Sequence, residues 1–221
     1  MTAPQAAETT RKRAPSKRSL ATRDRVLDAA ERVFADKGFD GATIRDIAET
    51  AGEPIGSVHH HGGGKEMLFH QVVKRRAEPL ARARLDALKT LRRDGHPGLE
   101  TLLSAFLRPL FDLAKDEPRW RHYARLVAYV SADDRWRAIA RDCFDPTAAI
   151  FLEEIAALLP GITRNEAAEG FVFSVSAMLA LATSQQRIGA LGGGEAADEA
   201  AQIDHLIRFC AGGLSNRRAR D

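Results

Sequence analysis

The chain has 221 residues, 44% of them hydrophobic and only 6% aromatic, with 33 Lys and Arg against 30 Asp and Glu for a formal net charge of +3. That length holds one small domain and one larger one with ample core, the scarcity of long β-branched runs points to helices, and no run of 18 apolar residues offers a membrane span. The charge is unevenly placed: Arg11, Lys12, Arg13, Lys17 and Arg18 stand against Glu8 in residues 1–20, a net of +4, so the rest of the chain sums to −1.

Residues 1–20, rich in Ala, Thr, Pro and basic side chains, read as a disordered basic arm. They lack the apolar core of a secretory signal, which suits a cytoplasmic protein. The arm is either a solvated tail or a strand that tracks DNA backbone or enters a minor groove. From Arg23 to Lys37, Val26, Leu27, Ala30, Val33 and Phe34 make a helical stripe, and Gly38 stops it. Ile44, Ile47 and Ala48 then give a second, shorter apolar face. Thr43 is placed to cap it through its hydroxyl, and Ala51-Gly52 ends it, since glycine tolerates a left-handed turn. Pro54 suits the first turn of another helix, about Ile55 to His61, with Val58 as its inward anchor. Two short helices joined by a glycine turn after an amphipathic helix form a helix-turn-helix, whose second helix lies in the major groove. A plain αα-hairpin is the competing reading of this window alone.

The run VLDAAERVFADKGFDGATIRDIAETAG, the Gly-Ser-Val helix after it and GKEMLF resemble the TetR family of bacterial transcriptional regulators, closely over residues 22–70 and elsewhere as a helical layout. The resemblance implies an all-α fold: a three-helix DNA-binding domain at 21–65, a larger helical ligand-binding and dimerisation domain at 66–214, and a tail at 215–221. It also implies a homodimeric repressor released from a palindromic operator in double-stranded DNA by a small-molecule effector. By the family's pattern Arg45, Ile55, Ser57 and His60 face bases, while Thr43, His59 and Lys65 hold phosphates; Pro54 completes the exposed side of the two short helices. The chain departs from the pattern at His59, where Tyr is usual, and at Gly62, where a bulky apolar residue is usual. The second departure removes apolar burial and predicts a looser junction after the recognition helix. It also supports an alternative reading, a helical dimeric ligand-binding or protein-interaction module with weakened DNA binding. Residues 21–65 carry six basic against eight acidic side chains, so a non-specific cationic sheath around DNA is excluded and contact depends on where single groups point.

Beyond Lys65 the pattern is a series of helices: a lever from Lys65 to Arg93 with a kink expected at Pro79, then Leu99–Lys115, Pro118–Ser131, Asp133 to about Leu159 with Pro146 inside, Arg164 to about Leu191, and Asp198 to Leu214. Phe171 to Leu181 is apolar nearly all round and must be covered on more than one side, by a partner subunit or by a monomer's own core. Gly170, Ser174, Ala177, Ala182 and Ala211 allow close helix approach, and a charge at Ala177 or Leu181 is expected to split or unfold a dimer. Aromatic residues in the middle helices read either as core or as the lining of a cavity. The candidates for that cavity are Phe106, Trp120, His122, Tyr123, Arg125, Tyr129, Phe144 and Ser174. Cys143 and Cys210 suit reduced packing, with a redox pair as the other option. Consecutive His59-His60-His61 point about 100° apart and cannot converge on one metal. No His-Glu-x-x-His, Cys-x-x-Cys or Gly-x-Ser-x-Gly occurs, and Gly64-Lys65 lacks the hydroxyl, earlier glycine and strand of a phosphate loop. An enzyme, a cofactor and a metal are therefore not expected.

Overall fold

Ser16 opens the first helix: its hydroxyl accepts the backbone N–H of Ser19 at 3.2 Å, so α1 runs Lys17–Gly41 and begins before Arg23. Residues 17–20, placed in the arm by composition, are thus helical. The computed structural model describes residues 16–95, 98–194 and 198–216; the remainder of the expected arm, and the tail after Asn216, lie outside the described residues. Among the described residues there are eleven α-helices, one 3-10 turn and no strand. Gly38, at φ 68°, interrupts α1 as its place in the sequence suggests, and Phe39 to Gly41 form a last separate turn.

Helices α2 (Ile44–Ala51) and α3 (Ile55–Gly62) complete a three-helix unit on α1, and α4 (Lys65–Arg93) leads away from it. The expected kink at Pro79 does not interrupt α4, whose backbone stays helical past the ring. One lost hydrogen bond is outweighed there by the burial of Val72, Val73, Ala77, Leu80 and Leu88 against α1 and the next helix, α5 (Leu99–Asp116). Then come α6 (Arg119–Ala132), the 3-10 turn Asp134–Trp136, α7 (Arg137–Cys143) and α8 (Asp145–Leu158). The single helix expected over 133–159 is therefore three pieces. Pro146 lies in the first turn of α8, where its fixed φ and missing N–H are compatible with helix, and so it starts a helix rather than interrupting one.

The last expected long helix also divides, into α9 (Arg164–Thr183) and α10 (Gln185–Gly192), before α11 (Glu199–Ser215). Ser184 leaves helical geometry, the Thr183 hydroxyl donates back to the Leu179 carbonyl at 2.7 Å, and the Gln185 amide donates to the Leu181 carbonyl and to Gln202. The Gln185 amide thus satisfies a carbonyl that the helix end leaves free, and the Thr183 hydroxyl adds a second bond to one inside the helix. At the other end of α9, Thr163 and Glu166 form a reciprocal capping box. By length and composition α9 is apolar enough to cross a membrane, with mean hydropathy 1.3 over 18 residues. One side of it is packed within the fold, with Phe171, Ser174, Met178, Leu179 and Leu181 buried against α6, α8 and α11, and the rest of its apolar surface is exposed. Gly170 is the point of closest approach, for a Cβ there would lie 2.2 Å from Leu214 Cδ2 of α11. The small residues foreseen for a subunit interface begin by packing helices within one protomer.

Candidate nucleic-acid interface and effector cavity

The helix-turn-helix is assembled by short-range chemistry. Thr43 caps α2: its hydroxyl accepts the Asp46 N–H at 3.1 Å, while the Asp46 carboxylate accepts the Thr43 N–H at 3.0 Å. The Lys37 ammonium, 2.9 Å from Asp46, and the Thr43 hydroxyl hold that carboxyl down at about 2. Gly52 turns the chain at φ 63°, its N–H donating to the carbonyls of Ala48 and Glu49. Pro54 then starts α3, and its carbonyl accepts from Ser57 and Val58. Ile47 and Val58 are wholly buried against α1, so the orientation of α3 rests on one apolar side chain and two caps. Arg25 pairs with Glu53 across the turn.

Around that anchor Thr43, Arg45, Pro54, Ile55, His59 and His60 are exposed, and Ser57 is half-buried. Arg45 has no hydrogen bond or ion pair with any described residue, so its guanidinium is available. Thr43 is engaged in its cap. Lys65 turns back instead, donating to the Asp40 carbonyl at 3.3 Å and standing 4.5 Å over the Phe39 ring. Gly62 corrects the expectation of a loose junction. A Cβ at that position would sit 2.9 Å from Leu68 Cδ1, so Leu68 of α4 already occupies the space, and the Gln71 amide donates to the Gly62 carbonyl at 3.1 Å.

The excess of acidic residues in this unit is concentrated on its back. Asp28 meets Arg75 and Arg119, each at 2.7 Å; Glu31 meets Arg76 at 3.0 Å; Asp36 meets Arg125 at 3.7 Å; and Asp40 meets Arg135 at 2.9 Å. Each acid is on α1 and each partner lies on α4, α6 or the 3-10 turn. The pair at the centre is buried: Arg76 also forks onto Glu117 at 2.7 and 2.9 Å, and burial, against the pull of Arg76, raises the Glu31 carboxyl above its usual range. Half of the unit's eight carboxylates are thus neutralised by the larger domain, and the outward face is less acidic than the sum implies.

Within the larger domain a cavity of about 350 Å³ opens between α4, α5, α6, α7, α8 and α9. Of the residues expected to line it, Phe106, Tyr123 and Phe144 do. Trp120 is buried beside it, edge-on to Tyr123 and next to Arg76. His122 and Tyr129 are not part of the wall, Arg125 is paired with α1, and the Ser174 hydroxyl donates to the Gly170 carbonyl beside a separate groove next to α11. The physical reason is that α1 covers one side of α6 and α9 the other, so only the α9 side can face a cavity. Sequence reasoning missed Arg84, Leu110, Phe171 and Met178 in the wall. One signal was available: Leu80, Arg84 and Leu88 follow each other at four-residue steps, a cation within an apolar row.

On the outside, Val172, Phe173 and Phe209 of α9 and α11 are 57%, 68% and 68% exposed, and grooves on either side of Phe209 hold about 620 and 340 Å³. Large apolar side chains gathered on one face mark an interaction surface. Leu181 belongs to the protomer's core and Ala177 is half-buried, so the side chains that project from this face are others than the two first marked for a charge test. Cys143 and Cys210 are free, and burial pushes both thiols up.

Two family models match the chain: one described as bacterial regulatory proteins of the tetR family, over residues 26–72, and one described as the tetracyclin repressor-like C-terminal domain, over residues 104–213. The chain is 35% identical over 86 residues to the HTH-type transcriptional repressor AcnR of Corynebacterium efficiens, covering 39% of this chain and 40% of that protein. It therefore spans less than half the length of that relative. It is 31% identical over 113 residues to the HTH-type transcriptional regulator TtgW of Pseudomonas putida, covering 51% of this chain and 77% of that one. Among solved structures, a tetR family transcription regulator from Shewanella superposes with a TM-score of 0.61 at 17% identity, over 88% of this chain and 96% of that one.

Proposed function

Because the chain belongs to the TetR family of bacterial regulators, we propose that it is a homodimeric, cytoplasmic repressor that binds a palindromic operator through α2 and α3 and releases it when a small molecule fills the cavity of the larger domain. The observation that carries this reading is the division of charge on the helix-turn-helix unit. Four of its five carboxylates on α1 are held by arginines behind it, while an unpaired Arg45 and the exposed Ile55, His59 and His60 share the outward side. In this reading Arg45, Ile55, Ser57 and His60 meet base edges, and Thr43, Pro54 and His59 contact backbone. Lys65 reaches a phosphate only by giving up Phe39 and Asp40, so it ranks below the others as a DNA contact.

The apolar face of Val172, Phe173 and Phe209 supports a two-fold dimer, since an isologous contact sets each protruding ring against the same groove of the partner. Two-fold symmetry supplies two recognition helices, one per half-site. The ion pairs between α1 and the larger domain provide the mechanical link by which a filled cavity shifts those helices. A typical coupling of about 1–3 kcal/mol would lower operator affinity about 5- to 150-fold.

A gel shift against the DNA flanking the protein's own gene tests the reading. The full chain is expected to retard one fragment containing an inverted repeat, and Arg45→Ala to lose about 1–3 kcal/mol of discrimination at one position of each half-site. Equal binding of wild type to scrambled and native fragments would favour instead a ligand-binding module without operator recognition.

A further inference from the structure

The cavity in the larger domain is apolar except for a few groups, and one of them is a cation without an anion. Arg84 of α4 is half-buried and lines this cavity. Its Nε donates to the Phe106 carbonyl at 2.9 Å, Nη2 approaches the Met178 sulfur at 3.7 Å, and the guanidinium carbon stands 3.7 Å from the centre of the Phe106 ring. No carboxylate among the described residues pairs with it. Burial lowers its pKa to about 10, which still leaves it cationic at neutral pH. Beside it the Tyr123 side chain, 1% exposed, makes no hydrogen bond to any described residue through its hydroxyl. Asp145 lies at the rim of the same cavity, exposed and not paired with Arg84.

A guanidinium has five donors in a fixed fork, and here a carbonyl oxygen and a weakly accepting sulfur are all that the protein offers it. Buried charges are ordinarily paired, because desolvation without a counter-ion is costly. An arginine without a counter-ion and a phenol without an acceptor, lining the same apolar space, present donors suited to one acceptor-rich anion. We propose that the effector is an organic carboxylate with an apolar body: its carboxylate bridges Arg84 and the Tyr123 hydroxyl, and its body lies against Phe144, Phe171, Val175 and Leu179. The proposal deepens the effector reading above and rests on the same cavity. A neutral apolar molecule would bury the cation without compensating it, and a strongly polar one would leave the Phe and Leu walls unmatched.

Calorimetric titration of the full chain tests this with two carboxylates, decanoate and 4-phenylbutyrate, against their primary amides. At least one carboxylate is expected to bind about tenfold or more tightly than its amide, since a hydrogen bond to a charged acceptor in a dry site is the stronger one. Arg84→Met is expected to bring acid and amide to within a few-fold of each other; Arg84→Lys retains part of the preference, and Tyr123→Phe reduces it less than Arg84→Met. Amide and acid binding alike to the wild type, no binding of any of the four at millimolar concentration, or an undiminished preference in folded Arg84→Met would overturn the proposal. The wild-type comparison decides alone if that variant does not fold. Should carboxylates bind with the expected preference while the operator complex is unaffected, the anion site stands and the effector reading falls.

Discussion

Helix α3 and the cavity of the larger domain are held in opposite ways. α3 is fixed by one buried valine, a capping box on its neighbour and a glycine turn, all within twenty residues of sequence. The cavity is the gap left between six helices drawn from a hundred residues, Leu80 to Leu179, and no single side chain defines it. The first device is local and brittle, and the second is distributed and adjustable. On the proposed function, the DNA-reading unit calls for one rigid geometry, and the cavity for a wall that can shift when filled.

If that contrast is right, the largest loss should follow from the least replaceable anchor. Ile47→Ala empties a fully enclosed site under α2, and about 2–5 kcal/mol of stability should disappear in chemical denaturation followed by circular dichroism. Truncation of the half-buried cavity residue Val175 should cost much less, because open space already borders it. Phe173→Glu leaves the protomer's core untouched yet places a charge on its most apolar surface. Sedimentation velocity should show a monomer, with operator binding weakened by about 2 kcal/mol or more, as for a central interface residue. A wild type that sediments as a monomer would end the dimer reading.

Gly62 sharpens the comparison further. Because Leu68 fills the space where relatives are expected to carry a bulky side chain, Gly62→Phe should destabilise by about 1–3 kcal/mol through overpacking, and Gly62→Phe with Leu68→Ala should recover most of it. Recovery failing in the double variant would mean that the space is not shared. The smallest effect is titratable. Asp46 has its folded pKa depressed to about 2, so its stabilisation is present above the ordinary carboxylate value near 4 and is lost as pH falls from about 4 through 2. Acid unfolding of Asp46→Asn should be shallower across that window than that of wild type.

How much of this could be read from the sequence follows the same division. The cap at Thr43, the turn at Gly52, the start at Pro54 and the stripe from Val26 to Phe34 depend on neighbours within four residues, and each is where the pattern put it. Ser16 was missed as a cap because the basic residues around it suggested an arm. Pro146 was placed inside one helix because a proline within an apolar stretch looks the same whether it starts a helix or lies along one. The lining of the cavity was legible only for Phe106, Tyr123 and Phe144. Arg125 and Tyr129 share α6 with Tyr123, and which side of that helix faces inward is decided by α1, a hundred residues away in the chain. The gap at Gly62 misled for a related reason: its occupant, Leu68, comes from the following helix.

The row of ion pairs behind α1 has a consequence for how salt acts on the protein. Mobile ions screen exposed pairs such as Asp36 with Arg125 and Asp40 with Arg135, but they scarcely reach Glu31 with Arg76. Rising ionic strength is therefore expected to weaken the exposed pairs first, while the buried pair and the contacts of Phe39 with Phe69 and Trp136 keep α1 seated. For the proposed operator binding, the slope of log affinity against log salt would then count more than released phosphate counterions. It would include the loosening of a clasp that no nucleic acid touches.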